Sequence, residues 1–121
     1  MSLSNGTEDL LLIHNPRCSK SRQLEAELMN RGVNFRTRLY LKDPLDAGEL
    51  RALFAALGLP PASCIRAKEA EYAASGLSPD SDADTVIEAV VRHPRLLERP
   101  VLVSGDRAAI GRPTENALAL L

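Results

Sequence analysis

The stretch His14-Asn15-Pro16-Arg17-Cys18-Ser19-Lys20-Ser21-Arg22 holds the residue types best suited to chemistry in this chain. A cysteine thiolate is a strong nucleophile, and cationic neighbours or a helix N-terminus favour the thiolate form. The flanks supply both conditions. The apolar run Leu10-Leu11-Leu12-Ile13 reads as a buried strand and residues 19–31 as a helix, so Cys18 falls where one hands over to the other. Unpartnered backbone N–H groups and the positive end of the helix dipole meet there, and both attract an anion. Arg17, Lys20 and Arg22 add positive charge. Cys18 is expected to be a reactive cysteine in an oxyanion site; the bland alternative is a cysteine packed as a small apolar residue.

Two other cysteine signatures fail on inspection. A Cys-x-x-Cys redox pair needs a cysteine at position 21, which is Ser21. The phosphate loop of cysteine phosphatases needs an arginine six residues on, where Leu24 stands. The cysteine must then act singly, with an external thiol completing any redox cycle.

The elements that position this loop follow from pattern. The helix after Cys18 is expected to turn Leu24, Leu28 and Met29 inward and to stop at Gly32. Residues 34–41 alternate, Phe35, Thr37, Leu39 and Leu41 against Arg36, Arg38 and Tyr40, which predicts a half-exposed strand. Strand, helix and strand in that order make a βαβ unit with parallel pairing. After the turn Lys42-Asp43-Pro44, Asp46 and Glu49 have capping-box spacing. Leu50, Leu53, Phe54 and Leu57 then form an amphipathic stripe, stopped by Gly58 and Pro60.

Residues 61–94 stay helical in character, broken at Gly76-Leu77-Ser78-Pro79, with Val86, Ile87, Val90 and Val91 inward in the clearest piece. Residues 101–104 and 108–111 flank Gly105-Asp106 as a hairpin, and Pro113 suits the first position of a closing helix over 114–121. The expected fold is α/β: a thioredoxin-like βαβ…ββα layout with a helical insertion at about 46–97 between the halves of a mixed four-stranded sheet. Residues 10–121 read as one domain behind a loose leader, residues 1–9. Met1-Ser2-Leu3 is open to reading as an expression scar.

With 121 residues, 45% hydrophobic and a net charge of -1, the chain has neither a disordered nor a strongly nucleic-acid-binding composition. Its basic residues are 12 Arg against 3 Lys, a bias toward the planar fork that grips oxyanions, or equally the mark of a GC-rich genome. No run has membrane-spanning length and no signal peptide is apparent, so a cytoplasmic, membrane-free location is expected. Two cysteines and two histidines at unrelated spacings do not make a structural zinc site. No dinucleotide fingerprint and no Walker A motif occur, so no tightly bound cofactor is expected.

His14-Asn15-Pro16-Arg17-Cys18 resembles the active-site loop of the glutaredoxin-coupled arsenate reductases, the ArsC family. The likeness continues at Leu39-Tyr40-Leu41, Ile65-Arg66, Tyr72, Gly76-Leu77, His93-Pro94, Glu98-Arg99-Pro100-Val101 and Ile110-Gly111-Arg112-Pro113, in order over nearly the whole chain. The basic loop and the end at Leu121 fit a short, YfgD-like subgroup. The resemblance implies a thioredoxin-like fold, Cys18 as nucleophile, Arg66, Arg99 and Arg112 around the oxyanion, and a cis proline at Pro100. It also implies arsenate or a similar oxyanion as substrate, glutathione as co-substrate, glutaredoxin as partner, and a monomer.

His14, Asn15 and Ser19 are the supporting loop residues. His14 has two readings, an imidazolium that holds the thiolate or a packed strand histidine bonded to backbone. Asn15 either orders the loop for catalysis or merely caps it. Cys64 matches no family catalytic position and reads as a buried thiol sooner than as a resolving one. Spx-like regulators share the resemblance and bind RNA polymerase, often through a Cys-x-x-Cys switch that Ser21 removes. That reading, or a thiol-redox protein with another substrate, is the alternative to the enzyme.

Overall fold

The computed structural model describes residues 10–121; the leader expected over residues 1–9 lies outside the described residues. Four strands, β1 (Leu10–His14), β2 (Arg36–Leu39), β3 (Val101–Ser104) and β4 (Arg107–Ile110), form one sheet in the order β2-β1-β3-β4. β1 pairs parallel with β2 and antiparallel with β3, and β3 pairs antiparallel with β4. The mixed sheet and the βαβ unit are thus as the pattern predicts. β1 and β3 are central, which explains why both are apolar without alternation: each has a helical layer on both faces.

On one face, Leu12 and Leu102 pack with Leu24 and Leu28 of α1 (Ser19–Asn30) and Ala117 of α5 (Thr114–Leu118). On the other, Leu11, Ile13, Val101 and Val103 pack with α2 (Ala47–Leu57) and α4 (Ala83–Arg92). Gly111 is where the first layer closes. Its backbone N–H donates to the Pro100 carbonyl at 2.8 Å, and a Cβ there would lie 3.0 Å from Pro100 and 3.1 Å from Leu24.

The capping box at α2 is present: the Asp46 carboxylate accepts from the Glu49 N–H, and the Glu49 side chain accepts from the Asp46 N–H. Glu49 also grips Arg38 of β2, which holds the Glu49 carboxyl below its usual range and ties the helix start to the sheet edge. Gly58 ends the helix in the left-handed conformation (φ 65°). The insertion between β2 and β3 also contains a short helix α3 (Ala70–Ala74) and two 3₁₀ turns, Pro61–Cys64 and Pro94–Leu96.

Several details differ from the pattern. Met29 is 66% exposed, because the buried stripe of α1 runs Ser21, Leu24, Leu28 and Met29 is about 100° off it. Val91 is 43% exposed for the same reason, and Ala89 takes its place inside. β2 is shorter than residues 34–41: the Lys42 and Asp43 N–H groups both donate to the Leu39 carbonyl, so the chain turns there. The turn reverses the alternation, leaving Tyr40 1% exposed and Leu41 42% exposed. Pro113 stands at the N-cap of α5, not inside it, and that helix ends at Leu118.

Asp46→Ala removes one half of the capping box and is expected to cost about 1 kcal/mol of stability. Urea unfolding read by circular dichroism checks this.

Candidate active site

The loop between β1 and α1 is folded by its own polar groups. The Cys18 N–H donates to the Asn15 carbonyl and the Arg17 N–H to Asn15 Oδ1, each at 3.0 Å. The Asn15 N–H donates to Ser21 Oγ at 3.0 Å, so the first turn of α1 holds the start of the loop. Cys18 is the N-cap residue, with extended backbone (φ -95°, ψ 123°), and its carbonyl accepts from the Arg22 N–H. Its side chain thus sits at the N-terminus of a 12-residue helix whose first turn carries no acidic residue. Cys18 is 7% exposed, and Arg112 Nη2 donates to its Sγ at 3.3 Å.

Arg112 is anchored from behind. Its Nε donates to the Arg99 carbonyl at 2.6 Å and lies 3.3 Å from Glu98 Oε1. Arg66 Nη1 donates to Glu69 Oε1 at 2.8 Å, and its Nε lies 3.8 Å from Glu98 Oε1. Arg99 differs from both. Its buried Nε has no hydrogen-bond partner among the described residues. Arg66 and Arg99 line an open cleft of about 420 Å³ with Asn15, Arg17, Tyr40, Leu41, Glu69 and Arg95. The Arg99–Pro100 and Arg112–Pro113 peptide bonds are both cis.

Burial pushes the Tyr40 hydroxyl up to about 12, and the neighbouring Cys18 adds to that rise. Tyr40 is 1% exposed and lines the same cleft as Asn15, so it stands against the loop as a neutral phenol. The arrangement suits a nucleophilic sulfur near a tetrahedral anion: one guanidinium on the sulfur, two more in a cleft that Asn15 and Arg17 of the same loop also line, and a helix N-terminus at the cysteine.

Residues 13–120 match the ArsC family model. The chain belongs to the ArsC family. An arsenate reductase of Neisseria meningitidis serogroup A is 42% identical over 115 residues, covering 93% of this chain and 98% of that one. The uncharacterized protein YfgD of Escherichia coli K12 is 40% identical over 117 residues, covering 95% and 98%. Among solved structures, an arsenate reductase from Vibrio cholerae superposes with a TM-score of 0.89 at 35% identity, covering 96% of this chain and all of that one. The fold is the thioredoxin-like one of this ArsC family.

Of the site residues expected in this ArsC chain, Cys18, Arg112, Arg66, Arg99 and Asn15 gather at one end of the sheet. Ser19 is exposed at the helix start, and its side chain makes no hydrogen bond among the described residues. His14 points elsewhere. Its Nδ1 is 2.7 Å from Ser21 Oγ and its Nε2 is 3.5 Å from Glu25 Oε2. Burial lowers its pKa below 6.5, against the smaller pull of Glu25. The imidazolium reading therefore gives way to a neutral, packed histidine, held by a side-chain hydroxyl in place of the backbone.

Burial likewise pushes the Cys64 thiol up, and its Sγ faces the Pro60 carbonyl and Ser63. That environment favours an inert thiol over a resolving one. No group of three or more metal-ligating side chains occurs among the described residues. Three residues beyond the expected set stand at the site: Ser21, Tyr40 and Glu98. Ser21 and Tyr40 had a signal, a polar group on an inward helix stripe and an aromatic within a matching motif.

The sign of the His14 effect follows directly. The unfolded chain takes up the proton near pH 6.5, the native state only at lower pH, so stability falls as pH drops from about 6.5 toward the native pKa. His14→Gln is expected to flatten this slope. Denaturation midpoints of both proteins at pH 7.5 and 5.5 measure it.

Proposed function

We propose that this chain is a glutathione- and glutaredoxin-dependent arsenate reductase. Arsenate docks between Cys18 with its partner Arg112 and the cleft residues Arg66 and Arg99. The Cys18 thiolate forms a sulfur–arsenic bond while one arsenate oxygen leaves as water, its protons drawn from arsenate and solvent. The developing charge on the remaining oxygens is met by guanidinium and backbone donors already in place.

Glutathione then attacks the Cys18 sulfur as its thiolate. A sulfur–sulfur bond forms, and the sulfur–arsenic pair stays on arsenic. Arsenic passes from the pentavalent to the trivalent state and departs as arsenite, while the two thiols become a mixed disulfide. Glutaredoxin removes the glutathione by thiol–disulfide exchange and restores Cys18.

The observation that carries this reading is the Arg112–Cys18 contact at 3.3 Å, between residues 94 positions apart, together with an Arg99 whose buried Nε has no partner among the described residues. A guanidinium on a cysteine sulfur, with a second guanidinium whose Nε is unsatisfied at the same end of the sheet, is an arrangement for an anion under nucleophilic attack. The names of the meningococcal and Vibrio relatives support the same substrate.

Arsenate-dependent NADPH oxidation, coupled through glutathione, glutaredoxin and glutathione reductase, tests the proposal. Turnover is expected for the wild type and none for Cys18→Ser. Arg99→Ala should lower kcat/KM by about 10²-fold, the usual loss on removing one oxyanion donor. Folded wild type that alkylates at Cys18 but shows no turnover would reject arsenate as the substrate.

A further inference from the structure

Glu98 is the point at which the three arginines meet. Its Oε1 lies 3.3 Å from Arg112 Nε and 3.8 Å from Arg66 Nε, and it accepts from the Arg99 backbone N–H at 3.3 Å. The position of Glu98 is itself fixed. Its N–H donates to the Cys64 carbonyl at 3.0 Å, Leu97 bridges Ile65, and the Arg66 N–H donates to the Leu96 carbonyl at 2.7 Å. Residues 64–66 and 96–98 thus run as two tied segments, one presenting Arg66 and the other its partner carboxylate.

Glu98 stands at ion-pair distance from the Nε edge of both guanidiniums; the Arg112 Nε–H itself donates to the carbonyl of Arg99, whose N–H Glu98 holds. A guanidinium is planar, so fixing that edge fixes the direction of its Nη tips. For Arg112 the Nη2 tip is the atom on the Cys18 sulfur. Charge alone argues against a carboxylate at the centre of an anion site, since it weakens the field the arginines supply. Glu98 is explained if the geometry it imposes outweighs that loss, because a pre-aimed arginine has already given up its rotamer freedom before the anion arrives.

We propose that Glu98 is the positioning residue of the oxyanion site, holding the Arg99 backbone that anchors Arg112 and pairing in charge with the Nε edges of Arg66 and Arg112. The proposal rests on the anion-site reading above, but not on arsenate being the substrate.

The test is protection of Cys18 from alkylation by neutral iodoacetamide, titrated with inorganic sulfate. Glu98→Gln keeps the reach and an acceptor oxygen, and its half-protecting concentration should stay within about threefold of the wild type. Glu98→Ala loses the acceptor and Glu98→Asp withdraws it by one methylene; each should need about tenfold more sulfate, the worth of one charge-assisted hydrogen bond. Circular dichroism confirms that each variant is folded. Equal protection in all four proteins overturns the proposal. So does tighter sulfate binding by Ala or Asp, or a Gln variant as weak as Ala. A wild type that sulfate does not protect removes the anion site itself, and the proposal with it.

Discussion

The site depends on the pairing of β1 with β3 and of β3 with β4. The register sets Ile13 opposite Val101 and Val101 opposite Ile110. The loop after β1, the residues before β3 and those after β4 therefore emerge at the same end of the sheet. Cys18, Arg99 and Arg112 are far apart in sequence, yet three strand ends deliver them to one place. The Arg112–Cys18 contact is the local consequence. Arg66 comes by a separate route, through the Ile65–Leu97 bridge that ties the insertion to the segment before β3. The apolar core is thus what aims the polar site: shifting one strand by a residue would turn its side chains to the opposite face and misplace the arginine it carries.

The charges are balanced unevenly. Arg66 and Arg112 are tied down by Glu69, Glu98 and the Arg99 carbonyl. Arg99 Nε is a buried donor left unsatisfied among the described residues, a state that costs about 1–3 kcal/mol. An anion seated against it offsets that cost. Paired cations give the site its shape, and the unsatisfied Arg99 Nε gives it an appetite. His14 and Ser21 are buried and hold the loop by hydrogen bonds without adding charge beside the sulfur, and the buried Tyr40 stays a neutral phenol.

Much of this was legible in the sequence, for physical reasons that can be named. An apolar run without alternation means burial on both faces, and β1 has it. Asp46 with Glu49, and Gly105 with Asp106, encode local geometry in the residues that adopt it. Cys18 at a strand-to-helix junction is a local signal too, and the structure puts it at the helix N-terminus. The three arginines were not legible from pattern alone, because a guanidinium facing a cleft and one facing water leave the same trace; the resemblance to a known family supplied them. Glu98 carries no role legible in the sequence, since nothing local shows that one carboxylate meets two arginines from distant segments. Met29, Val91 and Tyr40 were misplaced where helix phase or a turn shifted the apolar face by one residue.

The most direct test of the central claim is mass spectrometry of the protein after incubation with arsenate and glutathione, without glutaredoxin. A sulfur held by Arg112 at the helix N-terminus, beside an arginine-lined oxyanion cleft, should collect one glutathione, on the peptide containing Cys18, only when arsenate is present. An adduct on Cys64, an adduct that forms equally without arsenate, or no adduct on a folded protein would contradict the account.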